Sequence, residues 1–166
     1  PAAAGKGTIS KILSKDLNLY YLETGLYYRI LARNYYYEDI DEKKIKSYVS
    51  NLKKDKFQFN LKDKKNIFND KISNIASILA KNKIVRNFIL NEQRTCLNSY
   101  SKKYSGILLE GRDCGTVIVP SADVKIFVTA DVEVRARRRF QQYLEDKKKI
   151  SYEKINVYFK FKSRLW

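Results

Sequence analysis

The residues best suited to chemistry form a short run, Ala4-Gly5-Lys6-Gly7-Thr8, followed at once by helical sequence. A phosphate cradle needs small residues, so that backbone N–H groups can converge on phosphate oxygens at a helix N-terminus whose dipole favours the anion. It needs a Lys at the end of the loop to reach the outer phosphates, and a hydroxyl on the first helical turn for Mg2+. Ala4, Gly5 and Gly7 supply the small residues, Lys6 the cation and Thr8 the hydroxyl. These five positions are the candidate site for ATP, with Thr8 as the candidate Mg2+ contact.

Three further segments carry a pattern. Glu23-Thr24-Gly25-Leu26-Tyr27-Tyr28-Arg29 lies just downstream of the loop, and Glu110-Gly111-Arg112-Asp113-Cys114-Gly115-Thr116-Val117 follows a compact apolar run. Val124-Lys125-Ile126-Phe127-Val128-Thr129-Ala130 leads into the basic stretch Glu133-Val134-Arg135-Ala136-Arg137-Arg138-Arg139. With the Lys6-Gly7-Thr8 spacing, in which a Gly separates the Lys from the hydroxyl residue, these segments resemble the bacterial cytidylate kinase family of P-loop nucleoside monophosphate kinases. Ser77, Val85-Arg86 and Gln93-Arg94 match the family's intervening helical stretch. Glu23 and Glu110 stand where the family has Asp, and Phe68 where it has Arg.

The resemblance implies transfer of a phosphoryl group from Mg2+-bound ATP to CMP or dCMP. It makes Lys6, Arg29 and Arg112 the catalytic set, with Arg29 and Arg112 on the acceptor phosphate, where planar guanidinium groups grip phosphate in pairs of hydrogen bonds. It puts Thr24, Ser77, Arg86 and Asp113 with them in the CMP site. A mixed donor and acceptor set suits cytosine: Arg86 and Ser77 can donate to its ring acceptors, and Asp113 can accept from the exocyclic amine that uracil lacks. Each residue also has a plainer reading: Ser77 as helix packing, Arg86 as a solvated charge, Tyr35-Tyr36-Tyr37 as local packing. Arg135, Arg138 and Arg139 either approach the ATP phosphates or form a solvated basic helix face.

Positioning these residues takes alternating helices and strands. Residues 5–16 read as a helix, Leu19 to Leu22 as a strand, and residues 24–34 as a helix with Thr24 as N-cap. Residues 38–70 turn Lys-rich, with Phe57-Gln58-Phe59-Asn60-Leu61 alternating like a half-buried strand and Lys62-Asp63-Lys64-Lys65 able to turn it into a hairpin. Residues 71–80 and 83–102 read as helices. Ile107-Leu108-Leu109 and Val124 to Val128 read as buried parallel strands, and residues 131–147 as a basic helix capped by Asp131. The alternation predicts an α/β fold. Joined to the resemblance, that is a P-loop NTPase-type parallel sheet flanked by helices, with an inserted subdomain for the nucleoside monophosphate. The expected division is 1–36 for the phosphate loop and start of the core, 37–80 for the insert, 81–150 for the remaining core, and 151–166 for a divergent remnant of a lid.

The 166 residues carry 34 Lys and Arg against 18 Asp and Glu, a net charge of +16 that suits anionic partners. The excess is mostly Lys among many Asn, Ile and Tyr, the mixture an A+T-rich coding sequence produces without selection for polyanions. A basic nucleic-acid-binding module is the competing function, but it leaves the Gly-Lys-Gly-Thr and Gly-Arg-Asp segments unexplained; a kinase acting on UMP or AMP is the alternative within the same class. The absence of His excludes a His-based triad and His-ligated metal. Cys96 and Cys114 have neither metal nor redox-motif spacing, which fits a reducing cytosol. No apolar run reaches the roughly 18 residues of a membrane span, and there is no signal peptide. The expectation is a monomeric cytoplasmic protein whose partners are small nucleotides.

The chain starts at Pro1 rather than Met and stops at Trp166. The resemblance implies a strand and a motif Gly ahead of Pro1, and a lid rich in Arg and Asp after Lys154, where the sequence instead turns aromatic. The chain therefore reads as truncated at both ends, with weak or no turnover expected of it.

Overall fold

The computed structural model describes residues 2–52, 64–100 and 104–163. Helix α1, Lys6–Asp16, leads into strand β1, Leu19–Glu23, and then helix α2, Gly25–Tyr37. A 3-10 turn, Glu42–Lys44, opens α3, Ile45–Ser50, and beyond it come α4, Lys64–Ile67, α5, Asp70–Leu79, and α6, Lys83–Tyr100. Strand β2, Gly106–Glu110, is followed by a π-helical turn, Cys114–Ile118, and by α7, Val132–Glu145, and α8, Tyr152–Ser163.

Strands β1 and β2 pair in parallel, from Leu19 opposite Gly106 to Glu23 opposite Glu110. A parallel pair needs a long crossover, and helices α2 to α6 lie within it. The result is an α/β arrangement, a two-stranded parallel sheet among the described residues with helices packed around it. The register brings Glu23 and Glu110 side by side at the carboxyl ends of the strands, where open α/β sheets collect their ligands.

The crossover helices share one core. Leu31 and Ala32 of α2, Ile45 and Val49 of α3, Ile72, Ala76 and Leu79 of α5, and Val85 and Ile89 of α6 form it. Helix α5 shows why: its buried positions recur at intervals of four and three residues, the stripe of an amphipathic helix. Its start is set by Asn69, whose side chain accepts from the Ile72 amide at 2.9 Å. A second cluster, Leu22, Leu97 and Ile118, joins the sheet to α6 and the π-helical turn. A third, Ala136, Ile155 and Phe159, joins α7 to α8.

The structure corrects several expectations. Val124 to Val128 is not a buried strand: the segment carries no strand pairing, and Val124, Ile126 and Phe127 are 73%, 73% and 83% exposed. Apolar alternation reports a propensity, whereas a parallel strand also needs a ladder partner and two covered faces; no described strand runs beside this one. Thr24 does occupy the cap position of α2, but its side chain makes no capping bond and donates instead to the Glu110 carbonyl at 3.0 Å. Asp131 likewise precedes α7 without a side-chain cap bond. The alternating run at 57–61 lies outside the described residues. The tail from Ile155 to Ser163, which the resemblance left without a counterpart, belongs to α8, with Ile155 and Phe159 buried against α7.

Candidate active site

The phosphate-loop candidate folds as its composition demands. Ala3 and Gly5 both take positive φ, 58° and 98°, and Ala4 is buried between them. Such a turn points neighbouring N–H groups to one side and makes an anion nest. Gly5 is the N-cap of α1 with no side-chain cap bond, and the first helical hydrogen bond runs from the Ile9 amide to the Gly5 carbonyl at 3.1 Å. Arg138 of α7 reaches the loop, its Nη1 donating to the Ala3 carbonyl at 3.5 Å.

Ala4, Gly5, Lys6, Gly7 and Thr8 all line one cavity of about 1040 Å3, the scale of a nucleotide-sized pocket. Glu23 and Glu110, at the strand ends, line it too, as does Tyr21, whose hydroxyl donates to Glu110 Oε2 at 3.3 Å. Burial, followed by the charges of Glu110 and Glu23, pushes the Tyr21 phenol far above its ordinary pKa, so it stays protonated and keeps donating. No cluster of three or more His, Cys, Asp or Glu suited to a metal ion occurs among the described residues. Thr8 lines the same cavity as the carboxylates of Glu23 and Glu110.

Arg29 of α2 lies in an adjoining cavity of about 290 Å3. Its Nη1 donates to Ser73 Oγ at 2.7 Å and to the Ile67 carbonyl at 3.3 Å, and its guanidinium sits 5.0 Å from the centre of the Phe68 ring. Burial lowers its pKa; Glu23 opposes that shift and Arg139 adds to it. Phe68, Arg139 and Gln142 line both cavities and form the wall between them.

The other candidates gather elsewhere. Arg86 and Asp113 form an ion pair at 3.5 Å with about half of each side chain exposed. Tyr28 lies close by; burial raises its pKa, Arg86 opposes the shift, and Asp113 adds to it. Ser77 is exposed and donates to the Asn74 carbonyl at 2.8 Å. Arg112 is exposed and lines neither cavity. Thr24 is buried beneath them: its carbonyl accepts from Gln93 Nε2 at 3.0 Å, and its hydroxyl lies 3.9 Å from Cys114 Sγ. Lys6 and Arg29 are thus brought to two sides of one wall, whereas Arg112 and the Arg86–Asp113 pair are not brought to it.

The basic helix divides by position. Arg138 touches the phosphate loop and Arg139 faces both cavities, while Arg135 is buried, donates to the Ala130 carbonyl at 3.0 Å and lies over Phe159. Sequence reasoning missed Ser73 and Gln142, which belong to no motif and are found only by what they face. Phe68 was visible as a departure from the family pattern, without a role.

A model of the cytidylate kinase family covers residues 1–164, ten residues beyond the point at which the tail was expected to diverge. The cytidylate kinase of Fusobacterium nucleatum subsp. nucleatum is 38% identical over 167 residues, covering 93% of this chain and 72% of that protein. The cytidylate kinase of Rickettsia felis is 39% identical over 146 residues, covering 86% of this chain and 61% of that protein. A bifunctional pantoate ligase/cytidylate kinase of Prochlorococcus marinus subsp. pastoris is 38% identical over 152 residues, covering 84% of this chain and 29% of that protein. The chain therefore spans only part of the length of each of these relatives. No helix among the described residues is long and apolar enough to cross a membrane. With a family match over residues 1–164 and relatives 38% and 39% identical along most of its length, the chain belongs to the cytidylate kinase family.

Proposed function

We propose that the chain binds ATP with Mg2+ at the α1 loop and a pyrimidine nucleoside monophosphate on the Arg29 side, and transfers the γ-phosphoryl group to CMP or dCMP. One observation carries the reading: the Lys6 loop and Arg29 line adjoining cavities that share a single wall. Phosphoryl transfer needs two phosphates held face to face and charge stabilised between them; it asks little covalent chemistry of the protein.

On the donor side, the backbone amides from Ala4 to Thr8 hold the phosphates and Lys6 neutralises charge on the outer ones. Thr8 supplies a hydroxyl for Mg2+, which screens the phosphate oxygens when bound. On the acceptor side, Arg29 holds the attacking phosphate by the guanidinium edge; Arg112, which lines neither cavity in the ligand-free chain, must swing in with the bound nucleotide to join it. An oxygen of that phosphate bonds to the γ-phosphorus as the bond to the β–γ bridging oxygen breaks, leaving ADP and a nucleoside diphosphate.

Ser77, Arg86 and Asp113, with Thr24 behind them, form the base site. Arg86 and Asp113 pair with each other in the ligand-free chain, so cytosine must take over both partners. An ion pair this exposed is worth only about 0–1 kcal/mol, a small cost against two new hydrogen bonds to a base. The Asp113 carboxylate accepts from the cytosine amine and repels the uracil carbonyl.

Thermal shift with CMP, UMP and AMP tests the reading. CMP is expected to raise the melting temperature most, and Asp113→Asn to narrow the gap between CMP and UMP. Equal shifts from all three would remove the cytosine assignment. Filter binding of RNA with a steep salt slope, alongside no nucleotide-induced shift, would favour a nucleic-acid module instead.

A further inference from the structure

Phe68 is 40% exposed, yet its position is tightly set. Ile67 before it is fully buried, and Asn69 after it caps α5 through the Ile72 amide. The two anchors leave the backbone at Phe68 little freedom and hold the ring in the wall between the two cavities. Across that wall lies the Arg29 guanidinium, 5.0 Å from the ring centre. Ser73 fixes its other side: Ser73 Oγ donates to the Asn69 carbonyl at 2.6 Å and accepts from Arg29 Nη1 at 2.7 Å.

This geometry separates the two ways a guanidinium can be held. The Arg29 Cζ lies over the Phe68 ring, and among the described residues the guanidinium's hydrogen bonds leave from Nη1 alone. Among the described residues no hydrogen bond uses the edge bearing Nε and Nη2, and that edge matches the paired oxygens of a phosphate. An Arg without such a shelf must lose more side-chain freedom when a phosphate arrives.

We infer that Phe68 is a positioning residue for the acceptor phosphate, an aromatic shelf in the inter-cavity wall that holds the Arg29 guanidinium with one edge presented to a phosphoryl group. The inference rests on the proposed function for the identity of the phosphate's owner, but not for the shelf itself. Phe68 touches no reacting atom; it acts through Arg29. Its loss should weaken phosphate binding about threefold to tenfold, the scale of one cation–π contact.

The test combines side-chain NMR with titration on the full chain. In ligand-free protein the Arg29 Nε–H and δ-methylene signals should carry a ring-current displacement that Phe68→Leu abolishes and Phe68→Tyr keeps. Pyrophosphate and CMP are then titrated into all three proteins. The expected result is weaker binding of both probes by Phe68→Leu and near-normal binding by Phe68→Tyr, with no further effect of Phe68→Leu in an Arg29→Ala background. Unmoved Arg29 signals in Phe68→Leu, unchanged affinity, an equal loss in the Arg29→Ala background, or no binding of either probe by the unaltered chain would each overturn the positioning role. Binding of pyrophosphate without CMP, with the same dependence on Phe68, would uphold the shelf and remove the nucleotide reading.

Discussion

The amide and the hydroxyl of Thr24 donate to the same main-chain carbonyl, that of Glu110, at 2.9 and 3.0 Å. The amide extends the ladder between β1 and β2 by one step, and the hydroxyl doubles it where both strands end. Gln93 of α6 holds Thr24 from behind, through its carbonyl. A buried residue therefore locks the carboxyl ends of two strands and a helix together, directly beneath Arg112 and Asp113.

Thr24→Val keeps the shape and removes the hydroxyl. The loss of one buried hydrogen bond costs about 1 kcal/mol, or roughly 2–4 °C of melting temperature in a chain of this size. Thr24→Ser should recover most of it. Thermal denaturation of the two variants checks the claim, and an unchanged melting temperature for Thr24→Val would remove the lock.

Gly111→Ala should be more damaging. A Cβ at Gly111 would overlap the Thr24 hydroxyl and stand 2.9 Å from Cys114 Sγ. Overpacking of this kind costs about 1–3 kcal/mol, and relief by backbone movement displaces Arg112. The expected outcome is a lower melting temperature together with weaker CMP binding, read by denaturation and calorimetry on the same sample.

Phe159→Ala tests the tail. Phe159 is 4% exposed, packs with Ile155 and Ala136, and carries Arg135 over its ring. Truncation of such a side chain costs about 3–5 kcal/mol. Hydrogen exchange should accelerate first in α7 and α8 and last in α5. Faster exchange spread evenly over the chain would show that α8 is not a local brace.

Cys114 offers a pH test. Burial raises its pKa, the hydrogen bond it shares with Thr24 opposes the shift only in part, and the charges of Glu110 and Asp113 add to it. The folded chain thus holds the thiol proton more tightly than the unfolded chain does. The associated stability is fully present below the unfolded thiol pKa and is lost as pH rises through the folded one. Alkylation of Cys114, followed by peptide mass spectrometry across pH, should show a midpoint above the ~8.5 of a free thiol. A midpoint at or below that value would contradict the buried environment.

Most of the local structure was readable because periodicity and punctuation agreed. The small residues before Lys6 announced the turn into α1, and residues 71–80 read as the helix that α5 proves to be. The failures share one cause: pattern reports what a segment prefers, while partners decide what it does. Val124 to Val128 has strand composition and no described strand beside it. Thr24 has cap chemistry, but a carbonyl from a strand 86 positions away won its hydroxyl. Ser73 and Gln142 carry no local signal, since their importance comes from facing Arg29 and the inter-cavity wall. Lys6 and Arg29 stood out as candidate phosphate ligands from residue type and motif, but the wall between them is a property of the fold alone.

Calorimetric titration with an adenosine–cytidine dinucleotide joined by five phosphates asks directly whether one wall serves two facing phosphate sites. Occupying both sites with one molecule should make it bind at least about a hundredfold more tightly than ATP or CMP alone, with Lys6→Ala and Arg29→Ala each removing most of that gain. Binding no tighter than ATP, unaffected by Arg29→Ala, would mean that the two cavities do not act on one reaction.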